Sequence, residues 1–135
     1  MGRVTLCGDE GCALASLLDW LIASIEDDVS EMDDCIRDRL SKRDRDNSSP
    51  HRFEYEIGAT AEARYDPSTD TYMTVLDPLA VNDATSFTLH EWITHELVHH
   101  ITYDPATGRG TQDHPQRFCD KYNAIRSASS SCRGG

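Results

Sequence analysis

Residues 95–99 read His-Glu-Leu-Val-His, two imidazoles four positions apart with a carboxylate directly after the first. On an α-helix, residues four apart stack on one face, so His95 and His99 can present nitrogens to one metal ion at about 2.0–2.1 Å each. Glu96 then projects beside them, where it can take a proton from water activated by that metal. The chemistry expected of this pattern is zinc-assisted hydrolysis, with Glu96 as catalytic base. A catalytic zinc takes three protein ligands and keeps a fourth position open. The third has to come from downstream, where Asp104, Asp113, His114 and Asp120 are the candidates. His114 is favoured: it opens a predicted helix after a loop long enough to fold the chain back, and neutral imidazole suits zinc as well as carboxylate does. Asp113 could then orient the His114 ring. For a developing oxyanion, Tyr72, Tyr103, Arg109 and Arg117 are all candidate hydrogen-bond donors.

These residues need a scaffold, and the pattern of apolar positions supplies one. Leu14, Leu17, Leu18, Leu21, Ile22, Ile25, Val29, Met32, Ile36 and Leu40 recur at spacings of three and four. That predicts one long amphipathic helix, or two with a break near 27–30, packing its stripe on the rest of the fold. Residues 41–51 mix charges with Asn, Ser and Pro and read as a linker. Phe53, Tyr55 and Ile57 alternate with polar residues, a second strand is expected at about 60–65, and 66–70 has the chemistry of a hairpin tip before a third strand at 71–76. Together these predict a small antiparallel sheet. Asp77-Pro78 ends the last strand, and 82–86 offers capping residues for a helix at about 87–101. A final helix is expected at about 114–126. On these helices, His100 reads as a surface residue, His90 as pointing away from the metal, Trp92 and Phe118 as core aromatics, and Cys119 as a buried small residue.

The chain of 135 residues is about the size of one domain, with residues 1–127 as the folded unit and 128–135, rich in Ser and Gly, as a disordered tail. Lys and Arg number 13 against 24 Asp and Glu, a formal net charge of −11, so the surface as a whole should repel nucleic acid. Asp outnumbers Glu by 16 to 8 and Arg outnumbers Lys by 11 to 2, a bias like that of proteins adapted to concentrated salt; a merely acidic protein is the other reading. Five cysteines without dense spacing do not suggest a disulfide framework, and Cys7 and Cys12 are too widely spaced for a usual zinc knuckle. The apolar stretch at 13–25 is interrupted by Asp19, which disfavours a secretion signal, and no run reaches the roughly 20 apolar residues of a membrane span. The expectation is a cytoplasmic monomer without membrane contact.

Residues 92–126, WITHELVHHITYDPATGRGTQDHPQRFCDKYNAIR, resemble the core of the SprT-like metallopeptidases, the family that includes the DNA–protein crosslink protease Spartan. His95, Glu96 and His99 match the first part of that family's signature, and His114 and Phe118, in His-Pro-Gln-Arg-Phe, match the second. Pro115 stands where the family has Gly, and no cysteine-rich ribbon or long basic tail follows. The resemblance implies a zincin-like α+β fold: N-terminal amphipathic helix, small antiparallel sheet, active-site helix, C-terminal helix. It further implies a zinc endopeptidase acting on protein or peptide substrates, with DNA as a partner through the family alone. A small regulatory metallopeptidase that cleaves a repressor, with a carboxylate as third ligand, is the nearest alternative. A non-catalytic zinc-binding adaptor and an acidic interaction protein with an incidental His cluster are the others.

Overall fold

The structure is a computed structural model that describes residues 10–103 and 114–133. The first element, α1 (Glu10–Arg37), is a single uninterrupted helix, so the two-helix alternative is excluded. Its apolar stripe is only half used. Ile25, Val29, Met32 and Ile36, with Leu40 just beyond, are buried, whereas Leu17 and Trp20 remain 61% and 69% exposed. Among the described residues the expected packing holds fully for its C-terminal half, with Leu18, Leu21 and Ile22 half-buried. Each fully buried aliphatic there contributes roughly 1.5–3 kcal/mol, which makes that half the anchor.

The expected linker contains a short helix, α2 (Lys42–Asp46), whose N-cap Ser41 side chain accepts from the Asp44 N–H. Asp44 is buried and holds Lys121 at 3.0 Å, and Ser48 is fully buried. This segment is therefore part of the core wall.

Three strands follow: β1 (His51–Tyr55), β2 (Glu62–Asp66) and β3 (Thr71–Leu76). The sheet order is β1-β3-β2, with β3 antiparallel to β2 and parallel to β1. The predicted antiparallel sheet is thus corrected to a mixed one. The hairpin at 66–70 forms as its turn residues dictate, with Asp70 at φ 51°. The loop after β1, turning through Gly58 at φ +83°, carries β2 past the position next to β1 and leaves that place for β3. Ile57, read as a strand residue, lies outside β1 and is exposed.

A helix not foreseen, α3 (Pro78–Asp83), starts at once: Asp77 caps it by accepting from the Leu79 N–H at 3.0 Å, and proline occupies its first turn. Asp77 also accepts from the Gly58 N–H at 3.2 Å, tying the β1–β2 loop to the end of β3. Next, α4 (Ser86–Ile101) is capped by Thr85 and packs on β2 and β3. The last helix, α5 (Gln116–Ala128), begins two residues after His114 with Pro115 at its N-cap. It lays Phe118 and Ile125 into the core against α4.

Residues 128–133, expected as a disordered tail, end α5 and form a 3-10 turn (Ser130–Arg133). Two anchors explain the order. Ser129 is fully buried against His90, and Cys132 is joined to Cys35 of α1 by a disulfide that closes a separation of 97 residues. Two cysteines too distant for any spacing rule meet because α1 and the chain end flank the same side of α4. Cys119 is free and half-buried rather than buried. No helix among the described residues is long and apolar enough to cross a membrane.

Candidate metal centre

Two neighbouring rows of side chains on α4 organise the site. Residues 91, 95 and 99 lie one turn apart and face α5; residues 92, 96 and 100 lie one turn apart and face the sheet. In the first row, His95 and His99 pack edgewise and tilted on Phe118, with ring centroids 5.1 and 4.4 Å away. His114 arrives from just before α5 with its ring 4.7 Å from the same phenyl group. Phe118, expected as a core aromatic and as part of the His-Pro-Gln-Arg-Phe match, is the floor on which all three imidazoles rest.

The three Nε2 atoms converge. His99 to His95 is 3.1 Å, His114 to His95 is 3.2 Å and His114 to His99 is 3.3 Å. A neutral imidazole nitrogen either donates or accepts, so in such a triangle at least one contact sets like against like. A single cation satisfies all three lone pairs. Nitrogens about 2.0–2.1 Å from a tetrahedral ion lie about 3.3–3.4 Å apart, close to the spacing found, so the residues fit the group they were expected to hold. Burial, then the neighbouring His99 and His114, push the His95 pKa down to about 4, which keeps its lone pair free at neutral pH.

Glu96 places a carboxylate oxygen 4.0 Å from His95 Nε2 and is itself buried. Burial first, and the charge of Glu62 at the start of β2 second, push its pKa up to about 8. Positive charge at the point where the histidines meet favours the ionised form instead.

Of the sequence candidates, the structure brings together His95, His99, His114 and Glu96. Asp120 accepts from the Gln116 side chain at 2.8 Å and is not among the clustered groups. Asp104, Asp113 and Arg109 lie outside the described residues. Arg117 donates to the Thr102 carbonyl at 2.9 Å. Tyr72 and Tyr103 both stack around Tyr65, at 5.0 and 5.3 Å, on the sheet side of α4.

Several functional neighbours were not legible beforehand. The Tyr122 ring stands 5.8 Å from His95, and its hydroxyl donates to Glu91, which also receives Arg126 and Arg133. Burial works to raise the Glu91 pKa, yet Tyr122 and the two guanidinium groups outweigh it and hold it below its ordinary value. This knot fixes α5 against α4 beside His95. The spacing of Phe118 and Tyr122, four apart, was the available signal.

One histidine is corrected. His100, read as a surface residue, is fully buried in the second row, and Thr74 of β3 bridges it to His51: Oγ1 is 3.2 Å from His100 Nε2 and 2.8 Å from His51 Nε2. One hydroxyl can donate to only one of them, so the two rings take complementary protonation at Nε2. His90 does face away from the cluster, but into the core, 2.8 Å from Ser129 Oγ.

Comparison of the chain with known protein families, with curated proteins and with solved structures finds no match.

Proposed function

We propose that the chain is a zinc-dependent metallopeptidase of the zincin type that hydrolyses peptide bonds in protein substrates. One observation carries this reading: three imidazole nitrogens converge at 3.1–3.3 Å with a buried carboxylate 4.0 Å from one of them. His95, His99 and His114 would hold the ion, and an all-imidazole set suits zinc, although copper, iron and nickel share that preference. Bound zinc supplies a Lewis acid that acidifies water and polarises a carbonyl.

The protein's own groups do the rest. Glu96 accepts a proton from the attacking water and returns it to the leaving amine. Phe118 floors the cluster and keeps water from its underside, and the Glu91–Tyr122 contact holds the two helices that carry the ligands in register. The resemblance to SprT-like peptidases supports the same assignment of residues. It also supplies the proposal that DNA-bound proteins are substrates, which the net charge of −11 opposes. A cytoplasmic location is the reading suggested by the apolar stretch at 13–25 that Asp19 interrupts and by the sparse cysteines; the Cys35–Cys132 bond is the observation against it, because disulfides persist in oxidising surroundings.

The test is metal content and casein cleavage, in low and molar salt, with and without single-stranded DNA. About one zinc per chain is expected, with Glu96→Gln keeping the metal and cleaving at least about 100-fold more slowly. Equal activity in the two proteins overturns the role of Glu96. Zinc bound without any cleavage favours the adaptor, and no zinc at all favours the acidic interaction protein.

A further inference from the structure

A cavity of about 420 Å³ lies between α1 and β1, and none of the clustered histidines lines it. One wall is acidic: Glu26, Asp27, Asp33 and Asp34, with Ser30 between them, fall at helical spacings along one flank of the buried stripe of α1. The other wall is aromatic, because His51, Phe53 and Tyr55 alternate along β1 and so share one face. Elsewhere Asp44, Glu54 and Glu91 each meet a Lys or Arg; among the described residues no such ion pair reaches the four carboxylates of this wall. Arg52, also at the cavity, is held by Glu54 at 2.9 Å. Asp33 is the decisive member. It is only 8% exposed, and its Oδ1 is buried without a hydrogen-bond partner. Burial, opposed by Arg37 and helped by Asp34, raises its pKa to about 6, as for a carboxylate that lacks a counter-ion. Burying a charge in this way is costly, and a cation entering the cavity would offset that cost.

The form of that cation follows from the spacing of the acids. Among the described residues, only His95, His99 and His114 bring three ligand atoms close enough together to share one ion, so this wall is not a chelating site for a bare metal. Its oxygens are spread out, which suits a larger donor. A guanidinium offers five N–H donors in a planar fork, pairs with carboxylates two bonds at a time and stacks on aromatic faces. We infer that this cavity binds a guanidinium group, with Asp33 and Asp34 accepting from its N–H donors and the aromatic wall of β1 flanking its plane. A lysine ammonium matches the charge but lacks both the fork and the flat face. The guanidinium belongs either to an arginine side chain of another protein or to a small free guanidine. The inference does not depend on the peptidase reading.

The experiment titrates the isotope-labelled full chain with a capped Gly-Arg-Gly peptide and with its lysine and citrulline counterparts, followed by amide chemical shifts. Citrulline keeps the shape of arginine and exchanges the guanidinium for a neutral urea. The arginine peptide should shift residues 26–34 and 51–55 saturably, the lysine peptide should bind at least about tenfold more weakly, and the citrulline peptide should not saturate. Asp33→Asn should weaken arginine binding at least about tenfold without lowering the urea midpoint, because the group it removes is a buried charge without a partner. Ser30→Arg, at an exposed position of the same wall, should place a guanidinium in the cavity and block the peptide. Agmatine separates the two sources: affinity equal to that of the arginine peptide assigns a small guanidine, and a peptide at least about tenfold tighter assigns a protein arginine. Equal shifts from all three peptides, or shifts centred on the exposed Asp28 and Glu31, reveal only a general attraction to an acidic helix and overturn the site. Arginine binding that neither variant alters overturns it as well.

Discussion

Along α4, His99 and His100 are consecutive in sequence and opposite in environment. His99 points toward α5, where its Nε2 lies 3.1 and 3.3 Å from two more imidazole nitrogens. His100 points toward the sheet, where Thr74 gives its nitrogen a partner and His51 shares the same hydroxyl. The first arrangement is a set of nitrogens converging on one point, a geometry that could hold a cation. In the second, Nε2 is already engaged by Thr74 while Nδ1 is buried with no hydrogen-bond partner, and no set of nitrogens converges on one point. A buried histidine thus reads as ligand or as structural residue by what its nitrogen faces, and burial alone does not separate the two.

The sharpest way to break this comparison is to remove each histidine in turn. His99→Ala should weaken zinc binding by more than the roughly 10–100-fold that loss of even an outer partner costs, measured by competition with a chelator. His100→Ala should retain stoichiometric zinc while losing roughly 2–4 kcal/mol of unfolding free energy in urea. Equal loss of zinc in both variants would erase the distinction. A subtler cut is Thr74→Val, which keeps the shape and removes the bridge. It leaves two ring nitrogens without their partner and should cost about 1–3 kcal/mol with zinc affinity intact.

The smallest expected effect is in the pH dependence of stability. Burial, then Arg37 of α1, push the His51 pKa down to about 4, from an ordinary value of 6.5. His51 faces Thr74 on β3 and His100 on α4, and none of these offers a negative charge. A histidine depressed in this way contributes stability that is present above pH 6.5 and lost as pH falls toward 4. Asp33 of α1 runs the other way. Its Oδ1 is buried without a partner, and burial, opposed by Arg37, pushes its pKa up to about 6, from an ordinary value of 3.8. Stability from Asp33 is full below pH 3.8 and is lost as pH rises through 6. Each contribution is at most about 3 kcal/mol, at 1.36 kcal/mol per unit, and between pH 4 and 6 they oppose one another. Relative to the native chain, Asp33→Asn should make stability rise more steeply with pH there, and His51→Gln should make it fall. Parallel curves for all three proteins in urea titrations would remove both assignments.

Much of the site was legible because it is local. Residues 87–101 were expected as the active-site helix and form Ser86–Ile101, since apolar periodicity and the Thr85 cap lie within one stretch of chain. The hairpin at 66–70 was equally plain from its turn residues. What escaped prediction is non-local. The parallel pairing of β1 with β3, the Cys35–Cys132 bond, the order of residues 128–133 and the burial of His90 and His100 all depend on which elements meet. The stripe on α1 shows the same limit: its spacing is uniform from Leu14 to Leu40, yet among the described residues of the stripe only those from Ile25 onward are buried.

By itself the sequence determined that His95, Glu96 and His99 share a helical surface, because helical periodicity fixes which neighbours stack. It could nominate His114 but not deliver it, since a loop's path is not written in its spacing. Only the tertiary structure decided that three rings close on one point over Phe118, and that His100, one residue from His99, is turned inward to a threonine. A helix offers all its faces alike; the elements packed on each face assign the chemistry.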